Sequence, residues 1–142
     1  MASLIDVNVL IALLHARHTK SVQAVNWLER QDERESVLIC RIVQMGALRI
    51  LTNPKVMKKD AMSAGVFWRG WDTVLQDERF ALVKEPESFE TVWRELTGKL
   101  PAGTSAETDA YLAAFSLAGD WKLATFDQGF ARFPNIAIEL LH

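Results

Sequence analysis

The chain has 142 residues with a formal net charge of −2, and 49% of the residues are hydrophobic. This length and apolar content suit one packed core, so we expect a single domain over residues 1–142. The charge argues against a protein that coats nucleic acid nonspecifically, and no apolar run reaches the roughly 20 residues that span a bilayer. The single cysteine excludes an internal disulfide and suits a reducing compartment, so we expect a cytoplasmic protein without a membrane segment.

Short apolar runs alternate with helical periodicities along the chain. The apolar runs predict strands at residues 2–5, 36–40, 80–83, 121–125 and 136–141. Apolar residues three and four positions apart predict helices at residues 7–16, 21–30, 42–51, 58–74, 87–96 and 104–117. The last helix is expected to begin with a capping box formed by Thr104 and Glu107. This alternation predicts a three-layer α/β fold, with a mainly parallel central sheet flanked by helices.

Two aspartates directly follow predicted strands. Asp6 comes after the first strand, and Asp127 comes after the fourth. Ligands of open parallel sheets bind at the carboxyl ends of the strands, so both side chains are candidates for one site. The alternative role of Asp6 is a turn or a helix cap. Asn8 and Thr125 would orient the acids through hydrogen bonds, or would serve equally well in capping or turn formation.

Asp109 lies on the predicted helix 104–117, and its neighbours at three and four positions are Ala106, Leu112 and Ala113. An unpaired carboxylate on an apolar face is costly to bury, so Asp109 requires a cation, a hydrogen-bond cluster or a raised pKa. The alternative is an edge position that reaches water. Three clustered carboxylates call for a divalent cation, and oxygen ligands favour Mg²⁺ or Mn²⁺. Such a site suits attack of water on a phosphodiester.

Four segments, in this order and spacing, resemble the PIN-domain ribonucleases, and most closely the VapC toxins of bacterial toxin–antitoxin pairs. These segments are residues 4–10, 44–54, 108–114 and 125–130. The resemblance implies a PIN-like fold and a Mg²⁺- or Mn²⁺-dependent endoribonuclease that cuts structured RNA such as tRNA. It also implies a homodimer and inhibition by a cognate VapB-type antitoxin. Asp6 and Asp109 would be direct metal ligands, and Asp127 would complete the acidic pocket, often through water.

The chain departs from this family's pattern at Gln44, where the middle motif usually has a glutamate. An amide oxygen accepts hydrogen bonds or ligates a metal, but it carries no formal charge and cannot act as a base. We therefore keep Gln44 in the predicted site and expect weaker metal binding or reliance on one ion. The substitution also leaves open a second function, namely a catalytically weak or silent PIN-like module that binds RNA or a protein.

Basic residues are concentrated between Arg41 and Arg69, where six cations stand against one acid. Arg41, Arg49 and Lys55 are the candidates for contacts to RNA phosphates. A strip of this kind is also typical of a solvated surface, and that alternative remains open.

Three other interpretations receive less support. A dehalogenase-type phosphoryl domain also places an acid after the first strand, but it usually has a second acid where this chain has Asn8. His15 and His18 have no cysteine or acid at the spacing of a zinc site. The aromatic residues in 67–71 favour core packing, a dimer contact or an antitoxin groove over stacking on RNA bases.

Overall fold

The computed structural model describes residues 1–142 and contains one five-stranded sheet. Its strands are β1 (Ser3–Ile5), β2 (Val37–Cys40), β3 (Phe80–Val83), β4 (Lys122–Thr125) and β5 (Ile138–Leu140). Their order across the sheet is β3-β2-β1-β4-β5, and every neighbouring pair is parallel. The predicted α/β fold with a parallel sheet is therefore confirmed.

Helices precede and follow the strands as the sequence pattern predicts. They are α1 (Val7–Leu14), α2 (Ser21–Glu29), α3 (Arg41–Leu51), α4 (Pro54–Met57), α5 (Ala64–Gln76), α6 (Phe89–Gly98) and α7 (Glu107–Gly119). Two 3₁₀ turns cover Lys58–Asp60 and Gln128–Arg132. None of the helices combines the length and hydropathy of a membrane-spanning segment.

The prediction of one helix over residues 58–74 is wrong in its first part. Lys58 adopts a positive φ of 55°, which interrupts the helical path before the 3₁₀ turn. Helix α5 begins only after Ser63, whose hydroxyl accepts a hydrogen bond from the backbone N–H of Val66 at 3.2 Å. A serine cap therefore determines the start of this helix.

The predicted capping box is also wrong. Helix α7 begins at Glu107, and the capping position belongs to Ala106, which offers no side-chain hydrogen bond. The backbone N–H of Thr104 instead donates to the carbonyl of Pro101 at 3.2 Å. Because this proline and Gly103, with a φ of 83°, hold the preceding loop in a turn, the helix starts later than the pattern indicates.

The central strands are buried on both faces, which explains why they read as continuous apolar runs. All residues of β1 and β2 are buried, and the largest fully buried side chains are Trp27, Phe67 and Phe115. Cys40 lies in this core, as its apolar surroundings predict. Burial raises the pKa of its thiol to about 11, so the group stays protonated at neutral pH.

The order of the strands creates a crevice beside β1. The chain proceeds from β1 outward to β2 and β3, and then returns to place β4 on the other side of β1. In open parallel sheets this change of direction opens a cleft at the carboxyl ends of the two strands. Asp6 follows β1 and Asp127 follows β4, so both lie at that cleft.

Candidate active site

A cleft of about 280 Å³ opens at the carboxyl edge of the sheet. Three carboxylates line it, namely those of Asp6, Asp109 and Asp127. Asn8 and Arg49 belong to the same wall, and about half of the lining is hydrophobic. The structure thus brings together in one cleft the three acids that the sequence places on three separate segments.

Asp6 is both a helix cap and a cleft residue, so its two alternative roles coincide. Its Oδ1 accepts a hydrogen bond from the backbone N–H of Val9 at 3.1 Å, which caps α1. Its Oδ2 accepts a hydrogen bond from the hydroxyl of Thr125. The residue is only 4% exposed, and this burial raises the pKa of the carboxyl above its usual value. The hydrogen bonds from Thr125 and Val9 oppose that rise, and the nearby charge of Asp127 adds to it.

Thr125 links two of the acids. Its side chain is fully buried; it donates to Asp6 and accepts a hydrogen bond from the backbone N–H of Asp127 at 3.0 Å. Because one hydroxyl makes both bonds, the ends of β1 and β4 are held in a defined relative position. The sequence predicted an orienting role for Thr125, and these two hydrogen bonds are of the kind that such a role requires. Asn8 is exposed on the cleft wall, and its side chain makes no hydrogen bond within the chain.

Asp127 is held in a tight turn. Its Oδ1 accepts a hydrogen bond from the backbone N–H of Gly129 at 2.7 Å. A Cβ at position 129 would lie 2.9 Å from this oxygen and 3.2 Å from Nη1 of Arg132. Glycine at 129 therefore allows the close approach of these two side chains, a contact that our sequence analysis missed although Gly129 lies in the fourth motif.

Asp109 forms an ion pair with Arg132, which the sequence analysis also missed. The distance from Nη2 of Arg132 to Oδ2 of Asp109 is 2.8 Å. Asp109 lies in the first turn of α7, where the helix dipole favours an acid. The side chain of Asp109 is 36% exposed, so it occupies the edge position that reaches water, and Arg132 is its partner there. A search for cations near the strand-end acids would have pointed to Arg132, five positions after Asp127.

Gln44 does not line the cleft of the three acids. It is 4% exposed, and its Oε1 accepts a hydrogen bond from Nη1 of Arg41 one turn earlier on α3. Arg41 lines a second cleft of about 450 Å³ together with Lys84 and Tyr111. The amide oxygen of Gln44 is thus engaged by the adjacent arginine and is not directed at the three acids. The structure therefore separates Gln44 and Arg41 from the group with which the sequence analysis placed them.

The other two residues predicted to contact RNA, Arg49 and Lys55, lie in different places. Arg49 is exposed on the wall of the acidic cleft. Lys55 is exposed on α4, outside that cleft, and its backbone N–H donates to the side chain of Asn53 at 3.0 Å.

The donors of the cleft suit a hard divalent cation, because they are carboxylate oxygens. Nowhere in the chain, however, are three or more acid, histidine or cysteine side chains gathered closely enough to coordinate an ion. Arg132 engages Oδ2 of Asp109 and neutralises part of the negative charge of the cleft. Donor chemistry therefore fits Mg²⁺ or Mn²⁺, and a fully coordinated ion requires the three carboxylates to approach one another.

Comparison with known proteins places these features in a family. Residues 3–136 match the PIN domain. The chain is 30% identical over 142 residues to Ribonuclease VapC41 of Mycobacterium tuberculosis, with 97% of each chain covered. It is 29% identical over 133 residues to Ribonuclease VapC44 of the same species, with 92% of this chain and 89% of the relative covered. Among solved structures, VapBC2 from Rickettsia felis bound to a promoter DNA fragment matches 100% of both chains, with a TM-score of 0.70 and 16% identity.

Proposed function

This chain belongs to the PIN-domain family, and on that premise we propose that it is an endoribonuclease of VapC type, the toxin of a toxin–antitoxin pair. The observation that carries the proposal is the cleft lined by Asp6, Asp109 and Asp127. The relatives that cover nearly the whole chain are ribonucleases. The reaction is hydrolysis of an RNA phosphodiester, carried out by a single domain over residues 1–142.

Mg²⁺ or Mn²⁺ is the proposed cofactor. Asp6 and Asp109 would hold the ion directly, and Asp127 would complete the site through water. When bound, such an ion polarises the phosphodiester, lowers the pKa of water and offsets the negative charge that develops on the oxygens. The proposal rests on the donor chemistry, since carboxylates collected in one cleft repel each other unless a cation neutralises them.

The chain itself supplies orientation and substrate contacts. Thr125 and the N–H of Val9 hold the Asp6 carboxylate, and both bonds favour its ionised form against the effect of burial. Arg49 is the proposed contact to the phosphate next to the cleaved bond, because it lies on the cleft wall. Arg41 and Lys55, which lie outside the cleft, would contact phosphates farther along the RNA.

A VapB-type antitoxin is the proposed protein partner. Solved structures that share this fold include VapBC2 from Rickettsia felis and a toxin–antitoxin complex from Klebsiella pneumoniae. Exposed apolar side chains on α5, including Val66 and Trp68, offer surface for a protein contact. We further propose a homodimer, a structured RNA substrate such as tRNA, and action in the cytoplasm, where a buried free thiol such as Cys40 stays reduced.

A second candidate is a PIN-like module that binds RNA or protein without cleaving it. The observation in its favour is that Gln44 is uncharged and pairs with Arg41 rather than facing the acids. Titration of Mn²⁺ into the native chain and Gln44→Glu tests the importance of this position. We expect little change in affinity, because position 44 lies outside the acidic cleft and a glutamate there would pair with Arg41; tighter binding by the variant would show that this position reaches the metal site.

Cleavage of total cellular RNA by the purified chain tests the leading proposal. Reactions contain Mg²⁺, Mn²⁺ or EDTA, and compare the native chain with Asp6→Asn and Asp109→Asn. Asp72→Asn is the matched control, because Asp72 is exposed on α5 outside the cleft. We expect discrete fragments that require the metal, a loss of at least about a hundredfold in both cleft variants, and native activity in the control. RNA that stays intact but is shifted in a gel would favour the binding module.

A further inference from the structure

Arg132 is anchored at the acidic cleft by three contacts. Its Nη2 lies 2.8 Å from Oδ2 of Asp109, and its Nη1 donates to the carbonyl of Gly129 at 3.3 Å. Its guanidinium carbon lies 4.8 Å from the centre of the Phe133 ring. A guanidinium held from three sides keeps a defined position, so the Asp109 carboxylate bound to it is held too.

The same turn carries an acid and this arginine side by side. Asp127 caps the turn through Gly129, and a Cβ at position 129 would approach both Asp127 and Arg132. The structure nevertheless pairs Arg132 with Asp109 on α7 rather than with Asp127, its neighbour in the turn. The turn after β4 thus carries both Asp127, one acid of the site, and Arg132, which forms an ion pair with a second acid of the site, Asp109.

The ion pair is accessible enough to exchange. The side chains of Arg132 and Asp109 are 44% and 36% exposed. An ion pair at this exposure is weak, and a divalent cation with several carboxylate ligands can displace it. While the pair is formed, Arg132 occupies Oδ2 of Asp109 and offsets its charge.

We propose that Arg132 is a positioning residue that holds Asp109 at the cleft and competes with the divalent cation for its carboxylate. The guanidinium neutralises Asp109 when the site holds no metal, and it releases Asp109 when an ion binds. Arg132 therefore sets the metal concentration at which the site fills. This inference rests on the metal site of the proposed function.

Calorimetric titration of Mn²⁺ into the full chain tests the competition. Arg132→Gln is expected to bind Mn²⁺ roughly three- to fivefold more tightly than the native chain, because the guanidinium no longer neutralises the Asp109 carboxylate. Arg94→Gln is the matched control: it removes the same charge from an exposed pair with Glu90 on α6, and its affinity is expected to stay within about twofold. Asp109→Asn is expected to weaken binding.

Nitrogen-15 NMR of the Arg132 side chain provides a readout on the native chain, which does not depend on the folding of a variant. Addition of Mg²⁺ is expected to move the Arg132 Nε–H resonance toward its position in metal-free Asp109→Asn. If the native chain binds metal, but Arg132→Gln binds with equal affinity and the resonance does not move, the inference is wrong and the proposed function stands. If no variant binds Mn²⁺, the proposed metal site and the inference both fail.

Discussion

At the residue scale, Asp6 combines structural and chemical demands in one carboxylate. It caps α1 and lines the acidic cleft while only 4% exposed. Burial raises the pKa of the carboxyl more than its hydrogen bonds lower it. The ionised form is therefore a cost to the metal-free fold, which a bound cation would relieve.

We expect Asp6→Asn to stabilise the metal-free protein while it abolishes cleavage. The folded pKa of Asp6 lies above the usual value of 3.8, so the native state binds this proton more readily than the unfolded state. Stability falls as the pH rises from 3.8 through the folded pKa, and at neutral pH the whole cost is present. Asparagine removes the charge and still caps α1.

Thermal melts in EDTA between pH 3 and pH 8 measure this effect. The variant is expected to melt about 2–5 °C higher than the native chain at pH 7, with the difference disappearing in acid. Asp72→Asn, at an exposed site, should show no such pattern. A lower melting temperature for Asp6→Asn at pH 7 would mean that the hydrogen bonds to the charged carboxylate outweigh its burial.

Gly129→Ala tests the turn that holds Asp127. The new Cβ would lie 2.9 Å from Oδ1 of Asp127, so the carboxylate must shift slightly and its bond to the N–H at 129 is weakened. We expect cleavage to fall about two- to tenfold, since even small misplacement of a catalytic group is costly, with less than about 1 kcal/mol lost in stability. Gly98→Ala is the control, because a Cβ there meets nothing within 4 Å. Equal cleavage by both variants would contradict this role for the turn.

At the scale of elements, the junction between α7 and β4 determines where β4 begins, and therefore where Thr125 and Asp127 lie. Asp120 follows α7 in the left-handed region with a φ of 57°. Trp121 then packs against Phe115 of α7, with ring centroids 5.9 Å apart. This packing requires close approach of the indole to Gly119, the last residue of the helix.

Gly119→Ala is expected to destabilise the fold by about 1–3 kcal/mol, which is typical of overpacking. A Cβ at 119 would clash with the Trp121 ring, so the indole must move away from Phe115. Urea denaturation measures the shift in midpoint. Gly98→Ala again serves as the control, because alanine there replaces a glycine at the end of α6 without a clash. Equal midpoints would show that the indole relocates at no cost.

At the scale of the whole molecule, charge is distributed unevenly around a chain with a net charge of −2. Arg49 lines the acidic cleft, and Arg41 lines the second cleft at the same edge of the sheet. RNA binding by such a protein depends on local cations rather than on net charge. The salt dependence of binding therefore reports on these residues.

We expect the triple alanine variant of Arg41, Arg49 and Lys55, in an Asp6→Asn background that prevents cleavage, to bind RNA more weakly. The plot of log affinity against log salt should become shallower by about two, since each lost contact to a single strand removes roughly 0.7. The control triple alanine variant of Arg30, Arg34 and Arg94 changes net charge equally but lies outside the acidic cleft. The same slope for both triple variants would refute these contacts.

The sequence by itself determined the succession of strands and helices, the parallel α/β class, and the positions of Asp6 and Asp127 after strands β1 and β4. These features are encoded locally, because hydrophobic periodicity and strand ends involve residues close in the chain. Local patterns failed at the start of α5 and α7, where a serine cap and a loop turn decided the boundary.

Only the tertiary structure decided which side chains meet. Thr125 bonds to Asp6 across 119 positions, and Arg132 pairs with Asp109 across 23. Strand order brings the first pair together, and packing of α7 beside the turn after β4 brings the second. Gln44 lies outside the acidic cleft, and its side chain pairs with Arg41 one turn away. A carboxylate or amide binds whichever partner the fold brings within about 3 Å, and that distance is not encoded in any short stretch of sequence.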